Sequence, residues 1–481
     1  MLQDFLNSAP IPLLSALATL VMLLDAMKRD GARIVFGFSV FSLTAAMAAA
    51  IYTMFLPDKT TAFNNMITCG GYGAYFDIVF CLGGVLTLLA ARPFLLASNT
   101  EHGEFYSLIL FSICGMFLIA HSNNLLTLFI GIEVMSVSFY ILSGYLRTSR
   151  FSIEASLKYF LLGAFITGFL VYGMALIYGS AGALGYNEIY QAVQGETGAR
   201  FPMILLLGVG LLIIGLSFKS AIFPFHQWAP DVYQGAPTIV TAFMSTAGKA
   251  AAFSAFIPIL AVLTPESSLP VAAKIGMLLA VLSAATMLVG NISAVVQKNI
   301  KRMLAYSSVA HAGYMMMGLA AGSVRGASGI VFYVTAYMFM QIGAFILISA
   351  LERGSEERYQ NLEDYAGLAK KHPVMAALMS VFMLSLTGIP PFAGFFGKYY
   401  LFTAAIESGY TWLTIIAVIS SVISVYFYIG LIVAMYFRES DVQEQDSRPG
   451  LAGISLVISA AGVIILGVIP QFIDKIAKSL F

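Results

Sequence analysis

Charged residues are scarce in this chain. Of its 481 residues, 10% are Asp, Glu, Lys or Arg, whereas 59% are hydrophobic, and the mean hydropathy is +0.87. A soluble protein needs more polar surface than this to cover its core, so a soluble fold is excluded. Apolar runs of about 17–25 residues, each long enough to cross a bilayer, recur along the whole length, and no long polar segment stands apart. The composition therefore predicts a polytopic membrane protein.

Cysteine is also rare, and the first ten residues carry no basic side chain. The three cysteines, Cys69, Cys81 and Cys114, form no CxxC pair and have no nearby histidine. The usual spacing of an iron–sulfur or zinc site is therefore missing. Residues 1–10 contain Asp4 but no Lys or Arg, so they lack the basic start of a cleaved signal peptide. We expect the first apolar segment to remain as a membrane helix.

The apolar runs predict an all-α fold with about fourteen transmembrane helices. The predicted spans cover residues 9–27, 33–55, 73–96, 105–120, 124–146, 153–180, 202–223, 238–263, 272–296, 302–321, 325–351, 373–406, 411–437 and 451–470. The loop after the first span carries Lys28, Arg29 and Arg33, which places that loop in the cytoplasm by the positive-inside rule. Because the number of crossings is even, both termini are expected on the outer side.

Among the ionisable residues inside predicted spans, where charge is expensive, five carry the main functional signal. They are Glu133, Lys158, Lys219, Lys249 and Lys398. A charge near the bilayer centre costs roughly 2.5–3.5 kcal/mol, so each needs a partner, a water-filled cavity or a function. At about 1.5 Å per residue, Glu133 and Lys249 lie near the middle of their spans. We interpret these two and Lys219 as functional, with a buried structural salt bridge as the alternative.

Lys158 and His311 each allow two interpretations. Glu154 precedes Lys158 by four residues, which is the favourable order for a helical ion pair. Lys158 is therefore either structural or part of a proton path. His311, in SSVAHAGY (307–314), either holds and passes a proton or packs as a hydrogen-bonded histidine.

Two similar segments interrupt predicted spans with proline. LSFKSAIFPF (216–225) and LSLTGIPPFAGFFGK (384–398) each combine proline with a lysine. Proline in a membrane helix frees backbone carbonyls, which is tolerated only where protein or water can satisfy them. Five predicted spans separate the two segments, so the second enters the membrane from the opposite side. This pattern predicts an inverted repeat with broken helices 7 and 12, the architecture that places ion sites at the membrane midplane.

Five segments together resemble a known family. They are NNLLTLFIGIEVMSVSFYILSGY (123–145), EASLKYFLLGAF (154–165), KSAIFPFHQWAPDVYQGAPTIVTAF (219–243), KNIKRMLAYSSVAHAGYM (298–315) and LSLTGIPPFAGFFGKYYLF (384–402). They are similar to the antiporter-like membrane subunits of respiratory complex I, the proton-translocating NADH:quinone oxidoreductase. One departure from the family pattern is Ala229, where the family usually has threonine.

The resemblance implies fourteen helices, a proton channel and two inverted five-helix units. On this basis residues 1–104 hold helices 1–3, and residues 105–264 form the first unit with helices 4–8. Residues 265–437 form the second unit with helices 9–13, and residues 438–481 hold helix 14. The chain is expected in the plasma (inner) membrane of a bacterium, crossing it many times, with both termini periplasmic.

The resemblance also implies a proton relay. Glu133 matches the acidic residue of the fifth helix, and four lysines match those of the sixth, seventh, eighth and twelfth helices. The expected relay residues are Glu133, Lys158, Lys219, Lys249, Lys398 and His311. We expect Glu133 to pair with Lys219 and keep it protonated, and the proton to leave when the carboxylate is drawn away. The ion is expected to be H⁺ rather than Na⁺, because ammonium groups would repel a metal cation that needs oxygen ligands.

The family implies that the redox chemistry belongs to partner subunits. NAD, FMN, iron–sulfur clusters and quinone are expected there, with no cofactor in this chain. The expected partners are other complex I membrane subunits, including neighbouring antiporter-like subunits, together with membrane lipid and protons, and no nucleic acid. Two alternatives stay open: a subunit of a related cation/proton antiporter or membrane hydrogenase complex, and a passive membrane scaffold whose lysines only hold helices together.

Overall fold

A computed structural model describes residues 2–27, 31–55, 60–194, 202–263, 270–352, 360–439 and 450–481. The helices up to the first break are α1 Leu2–Asn7, α2 Pro10–Met27, α3 Ala32–Met54, α4 Gly71–Ala97, α5 Gly103–Ala120, α6 Leu125–Ser143, α7 Arg150–Ala181, α8 Tyr186–Gln194 and α9 Pro202–Lys219. The later helices are α10 Trp228–Gly235, α11 Thr238–Phe243, α12 Lys249–Leu263, α13 Pro270–Val295, α14 Ile300–Ala320, α15 Val324–Glu352, α16 Leu368–Lys371, α17 Pro373–Thr387, α18 Ala393–Glu407, α19 Thr411–Phe437, α20 Gly450–Val468 and α21 Pro470–Ser479. Lys28 and Arg29, on which the topology prediction partly rests, lie outside the described residues.

Three shorter elements complete the chain trace. Met244–Gly248 form a π-helical turn between α11 and α12, and Leu362–Tyr365 form a 3₁₀ turn. The strands β1 Thr60–Ala62 and β2 Ile67–Cys69 pair as an antiparallel hairpin.

All fourteen predicted spans coincide with helices. Within the described ranges, eleven helices are long and apolar enough to cross a membrane, and two shorter apolar helices, Met203–Lys219 and Pro373–Thr387, end at the two breaks. The remaining span is α14, which has 21 residues. The prediction of an all-α polytopic membrane fold is therefore confirmed. The division into inverted units over 105–264 and 265–437 stays a prediction.

Local hydrogen bonds explain where several helices begin. Asn124, Ser149 and Asn299 occupy the N-cap positions of α6, α7 and α14, and each side-chain oxygen accepts a hydrogen bond from a first-turn backbone amide. Such caps satisfy amide groups that have no partner inside the helix. They define the starts of α6, which carries Glu133, of α7, which carries Lys158, and of α14, which carries His311.

Helix α15 forms the centre of the bundle. In its most apolar stretch 94% of the residues are buried, against 22% for α2 and 33% for α7 and α19. It packs against α4, α11, α14, α17, α18 and α20. The outer helices expose large apolar side chains, as lipid-facing helices do. Two buried ionisable groups, Lys249 and His311, make contacts with residues of α14 or α15, away from the exposed outer faces.

Two elements at one end of the bundle are absent from the sequence predictions. In the β1–β2 hairpin, the Thr68 amide donates to the His121 carbonyl at 2.8 Å. The His121 imidazole lies between Thr68 O at 2.6 Å and Asp77 Oδ2 at 2.9 Å. The amphipathic helix α21 follows the last span, and just after its end the ring of Phe481 lies 5.7 Å from that of Tyr72. Strands of three residues are too short for the alternating pattern that predicts a strand.

Candidate proton pathway

The first break ends α9 at Lys219, four residues earlier than the predicted span, which ran to residue 223. The chain turns because Ala221 adopts a left-handed conformation with φ 56°, and α10 begins at Trp228. The Trp228 indole N–H donates to the carbonyl of Phe218 at 2.9 Å. The same carbonyl also accepts from the Ala221 amide at 3.0 Å, so the indole bond ties α10 to the end of α9. Lys219 therefore lies at the carboxyl end of α9, where the helix dipole favours a cation.

The ammonium of Lys219 is held by uncharged groups of α6. Its Nζ donates to Ser136 Oγ at 2.7 Å and to Tyr140 OH at 3.4 Å. Lys219 is only 9% exposed. Glu133 lies one helical turn before Ser136, close enough to act on Lys219 electrostatically. Its carboxylate instead accepts a hydrogen bond from Thr167 Oγ1 at 3.1 Å.

In this conformation Glu133 and Lys219 are therefore not in direct contact, and their pairing stays a prediction. Between these two described residues there is no ion pair within hydrogen-bonding distance. The physical reason is the helical geometry of α6: the carboxylate and the Ser136 hydroxyl are separated by about one turn, roughly 5 Å along the axis. The lysine reaches the nearer group.

Lys249 begins α12 directly after the π-helical turn. Such turns are frequent at functional sites, because the extra residue re-aims the side chains that follow. Its Nζ donates to the Ser308 carbonyl and, at 2.5 Å, to Ser308 Oγ. The ring of Tyr337 lies 5.7 Å from the same nitrogen. Lys249 is 2% exposed, so it is fully buried.

The second break separates α17, which ends at Thr387, from α18, which begins at Ala393. Lys398 of α18 reaches back to it. Its Nζ donates to the carbonyls of Leu386 and Thr387 at 3.2 and 2.8 Å and to Ser421 Oγ at 2.8 Å. The lysine thereby satisfies two carbonyls at the carboxyl end of α17. Both broken helices thus place a lysine at the carboxyl end of their first half.

Gly388 makes the second arrangement possible. It has φ 93°, a conformation that favours glycine. A Cβ added there would lie 3.2 Å from Lys398 Nζ. Gly388 therefore packs directly against the side chain of Lys398.

Ser307, Ser308, His311 and Tyr314 form the polar face of α14. His311 lies on this face between the side chains of Lys249, from α12, and Lys398, from α18. Its Nδ1 and Nε2 are 2.6 and 3.0 Å from the hydroxyls of Tyr333 and Tyr428. Tyr428 OH also shares a hydrogen bond with Ser307. One turn before His311 is Ser308, which binds Lys249. One turn after it is Tyr314, whose ring lies 4.9 Å from Lys398 Nζ.

Lys158 lies apart from these buried groups. Its side chain is 42% exposed and pairs with Glu154 at 2.7 Å, as expected. It also pairs with Asp231 of α10 at 2.9 Å, and Asp231 in turn binds Arg302 of α14 at 2.6 Å. Burial would raise the pKa of the Asp231 carboxyl, but the hydrogen bonds from Lys158 and Arg302 outweigh it and hold that pKa below its usual value. The network ties the segment after the first break to α7 and α14.

Several polar residues around the lysines were not singled out from the sequence. They are Ser136, Tyr140, Asp231, Arg302, Ser308, Tyr314, Tyr337 and Ser421. One signal was present: Ser136 and Tyr140 follow Glu133 by three and seven residues, which places all three on one face of a helix. The other residues come from distant parts of the chain, where spacing carries no such signal.

No metal centre is apparent in the part of the chain that the structure describes, since no three His, Cys, Asp or Glu residues lie together there. The three cysteines are buried free thiols.

Known proteins match this chain over most of its length. Residues 122–424 match the family model described as NADH:quinone oxidoreductase/Mrp antiporter, TM. The chain is 46% identical over 420 residues to NADH-quinone oxidoreductase subunit N of Trichlorobacter lovleyi, which covers 87% of this chain and 85% of that protein.

Two solved structures have a similar fold. A chain of respiratory complex I from Thermus thermophilus with bound aureothin has 33% identity and a TM-score of 0.79, covering 97% of this chain and 98% of its own. A chain of the Mrp complex from Dietzia sp. has 23% identity and a TM-score of 0.86, covering 99% and 97%, and shows a shared fold alone. The resemblance found in the five sequence segments is confirmed: the chain belongs to the NADH:quinone oxidoreductase/Mrp antiporter transmembrane family.

Proposed function

We propose that this chain is the N-type membrane subunit of an NADH:quinone oxidoreductase and carries protons across the membrane through a lysine relay. NADH oxidation and quinone reduction take place in partner subunits, which hold NAD, FMN, iron–sulfur clusters and quinone. The subunit N relative and the similarity to complex I support this assignment. The membrane is the plasma membrane of a bacterium, and the neighbouring subunits include other antiporter-like chains.

One observation carries the proposed mechanism. Lys219, Lys249 and Lys398 are 9%, 2% and 4% exposed, and the hydrogen-bond acceptors around them are hydroxyls and carbonyls. A buried ammonium without a carboxylate in direct contact is destabilised, because nothing of opposite charge compensates for its lost hydration. A nearby charged group can therefore change the protonation state of the lysine, whereas a carboxylate in a structural salt bridge would keep the lysine protonated.

Glu133 is the group that shifts the charge on Lys219. When the carboxylate moves towards Lys219 it stabilises the ammonium, and when it is held by Thr167, as here, the proton is released more readily. The proton passes through water to Lys249. From there it follows the polar face of α14, past His311, to Lys398 at the second break. Lys398 exchanges it with the outer side.

Lys158 has a supporting part in this scheme. It is half exposed and binds two carboxylates, so it keeps its charge and holds α10 in place beside the first break. This role differs from that of the buried lysines.

The test is substitution in the whole complex. We expect Lys219→Ala and Glu133→Ala each to lower NADH-driven proton pumping and coupled quinone reduction strongly, while the complex still assembles. Lys158→Ala is the matched control from a neighbouring helix and should have a milder effect, because half-exposed ion pairs contribute only about 0.2–1 kcal/mol each. Pumping is measured with a pH-sensitive dye in membrane vesicles, and assembly by copurification of the partner subunits.

Two outcomes would contradict the proposal. Parental pumping in Glu133→Ala would remove the switch, and parental pumping in Lys219→Ala would remove the relay. Copurification in mild detergent distinguishes an NADH:quinone oxidoreductase from a stand-alone antiporter complex. An NADH-oxidising partner subunit supports the oxidoreductase, and the absence of such a partner supports the antiporter.

A further inference from the structure

Each of the three buried lysines touches one serine hydroxyl and lies near one tyrosine ring. The pairs are Lys219 with Ser136 at 2.7 Å and the Tyr140 ring at 5.7 Å, Lys249 with Ser308 at 2.5 Å and the Tyr337 ring at 5.7 Å, and Lys398 with Ser421 at 2.8 Å and the Tyr314 ring at 4.9 Å. The serines belong to α6, α14 and α19. A serine hydroxyl and a tyrosine ring therefore accompany each of the three lysines, and the serine comes from a different helix each time.

The serine hydroxyls have a property that the backbone carbonyls bonded to these lysines lack; at Lys219 the Tyr140 hydroxyl, 3.4 Å away, shares it. An ammonium group only donates hydrogen bonds, whereas a neutral amine also has a lone pair that needs a donor. A backbone carbonyl can only accept, so it serves the ammonium alone. A hydroxyl can accept from the ammonium and, after rotation, donate to the amine.

The other contacts of Ser136 and Ser421 fit the charged state of their lysines. Ser136 Oγ donates to the Ile132 carbonyl at 2.5 Å while it accepts from Lys219. Ser421 Oγ donates to the Thr387 carbonyl at 3.3 Å while it accepts from Lys398. Each hydroxyl hydrogen is thus directed at a carbonyl and can turn from it towards the lysine.

We propose that Ser136, Ser308 and Ser421 are positioning residues of the relay: each hydroxyl accepts a hydrogen bond from its lysine when the lysine is charged and donates one to it when it is neutral. The inference rests on the proposed function, since it requires that the lysines lose their protons. When the proton leaves for the next carrier, the hydroxyl rotates and gives its hydrogen bond to the amine lone pair. No covalent bond forms or breaks at the serine.

Lys398 allows the two halves of this role to be separated. In Ser421→Ala the ammonium keeps the carbonyls of Leu386 and Thr387 as acceptors, so the charged state stays well bonded. The neutral state loses its donor. A serine that merely held the ammonium would therefore be dispensable at this site, whereas a serine that serves both states would not.

The experiment compares serine variants in the whole complex. We expect Ser421→Ala to lower the rate of NADH-driven proton pumping by about tenfold, because a buried polar group is left unsatisfied in one protonation state. Ser136→Ala should lower it less, because the Tyr140 hydroxyl stays 3.4 Å from Lys219 and can donate in place of the serine. Ser136→Thr keeps the hydroxyl and should retain pumping. Ser138→Ala is the matched control, since Ser138 lies on the same helix, is 4% exposed and donates to its own helix at Val134 O.

Each result decides for or against the serine role. A loss in both alanine variants, with pumping kept in Ser136→Thr and Ser138→Ala and assembly unchanged, supports it. Parental pumping in Ser421→Ala, or an equal loss in Ser136→Thr, overturns it. Lys219→Ala is measured in membranes prepared in the same way. If Lys219→Ala also pumps normally, the proposed function itself fails. If Lys219→Ala loses pumping while the serine variants pump normally, only the serine inference is refuted.

Discussion

Replacing Lys398 by arginine tests whether this side chain has to become neutral during turnover. Arginine keeps the positive charge and brings five N–H donors but no acceptor. The site offers three acceptors to such a cation, namely the carbonyls of Leu386 and Thr387 and the hydroxyl of Ser421. The charged variant can therefore be satisfied in place, and we expect the complex to assemble.

The expected loss follows from the difference between the two cations. The reference pKa of arginine lies roughly two to three units above that of lysine. Neutralising the guanidinium therefore costs about 3–5 kcal/mol more at 1.36 kcal/mol per unit. If each turnover passes through the neutral form, pumping should fall by a factor of roughly 10² to 10³, which is loss of function in practice.

The assay is NADH-driven proton pumping in membrane vesicles, with copurification of the partner subunits as the check on assembly. Lys370→Arg is the matched control, because the Lys370 side chain is 72% exposed and pairs with Glu439 at 3.3 Å. It should pump like the parent. Normal pumping with normal assembly in Lys398→Arg would reduce Lys398 to a structural charge and refute its role as the exit-side group.

Two further predictions concern packing and topology. A Cβ at Gly163 of α7 would lie 2.1 Å from the Tyr140 hydroxyl, whereas one at Gly168 of the same helix meets nothing within 4 Å. Gly163→Ala should therefore lower pumping several-fold by displacing a partner of Lys219, at a packing cost of about 1–3 kcal/mol, and Gly168→Ala should not; equal activities would contradict this. Single cysteines at Lys59, which lies outside the described residues, and at Lys370 test the topology in intact cells. An impermeant reagent should label position 59 and spare position 370, and the reverse pattern would overturn the predicted orientation.

Much of the fold follows from local properties of the sequence. About twenty consecutive apolar residues can satisfy their backbone in a bilayer only as a helix, so the spans are readable without any knowledge of their neighbours. The two breaks are readable for the same reason, since proline acts on its own helix. Lys219, Lys249 and Lys398 stand out because a charge in such a run is costly wherever the helix is placed.

Local patterns could not predict the partners of these lysines. Ser136 and Ser308 lie 83 and 59 residues away from the lysines they bind, and Ser421 lies 23 residues away. A serine in an apolar helix is unremarkable by itself, because it can bond to its own backbone. Which serine meets a lysine depends on how the helices pack against each other, and that packing is a property of the whole bundle.

The same distinction explains what the structure adds at Lys219 and Lys158. Glu133 and Lys219 carry opposite charges at similar depth, so the sequence suggested a direct pair; the orientation of α6 instead brings Ser136 to the lysine and Thr167 to the carboxylate. For Lys158 the sequence showed its helical neighbour Glu154, four residues away, but not Asp231, which the turn after the first break brings to it. The sequence by itself thus determined the membrane helices, their breaks and the charges inside them, because these depend on single segments in a bilayer. The tertiary structure alone decided which uncharged groups hold each lysine, because those contacts join segments that are far apart in the chain.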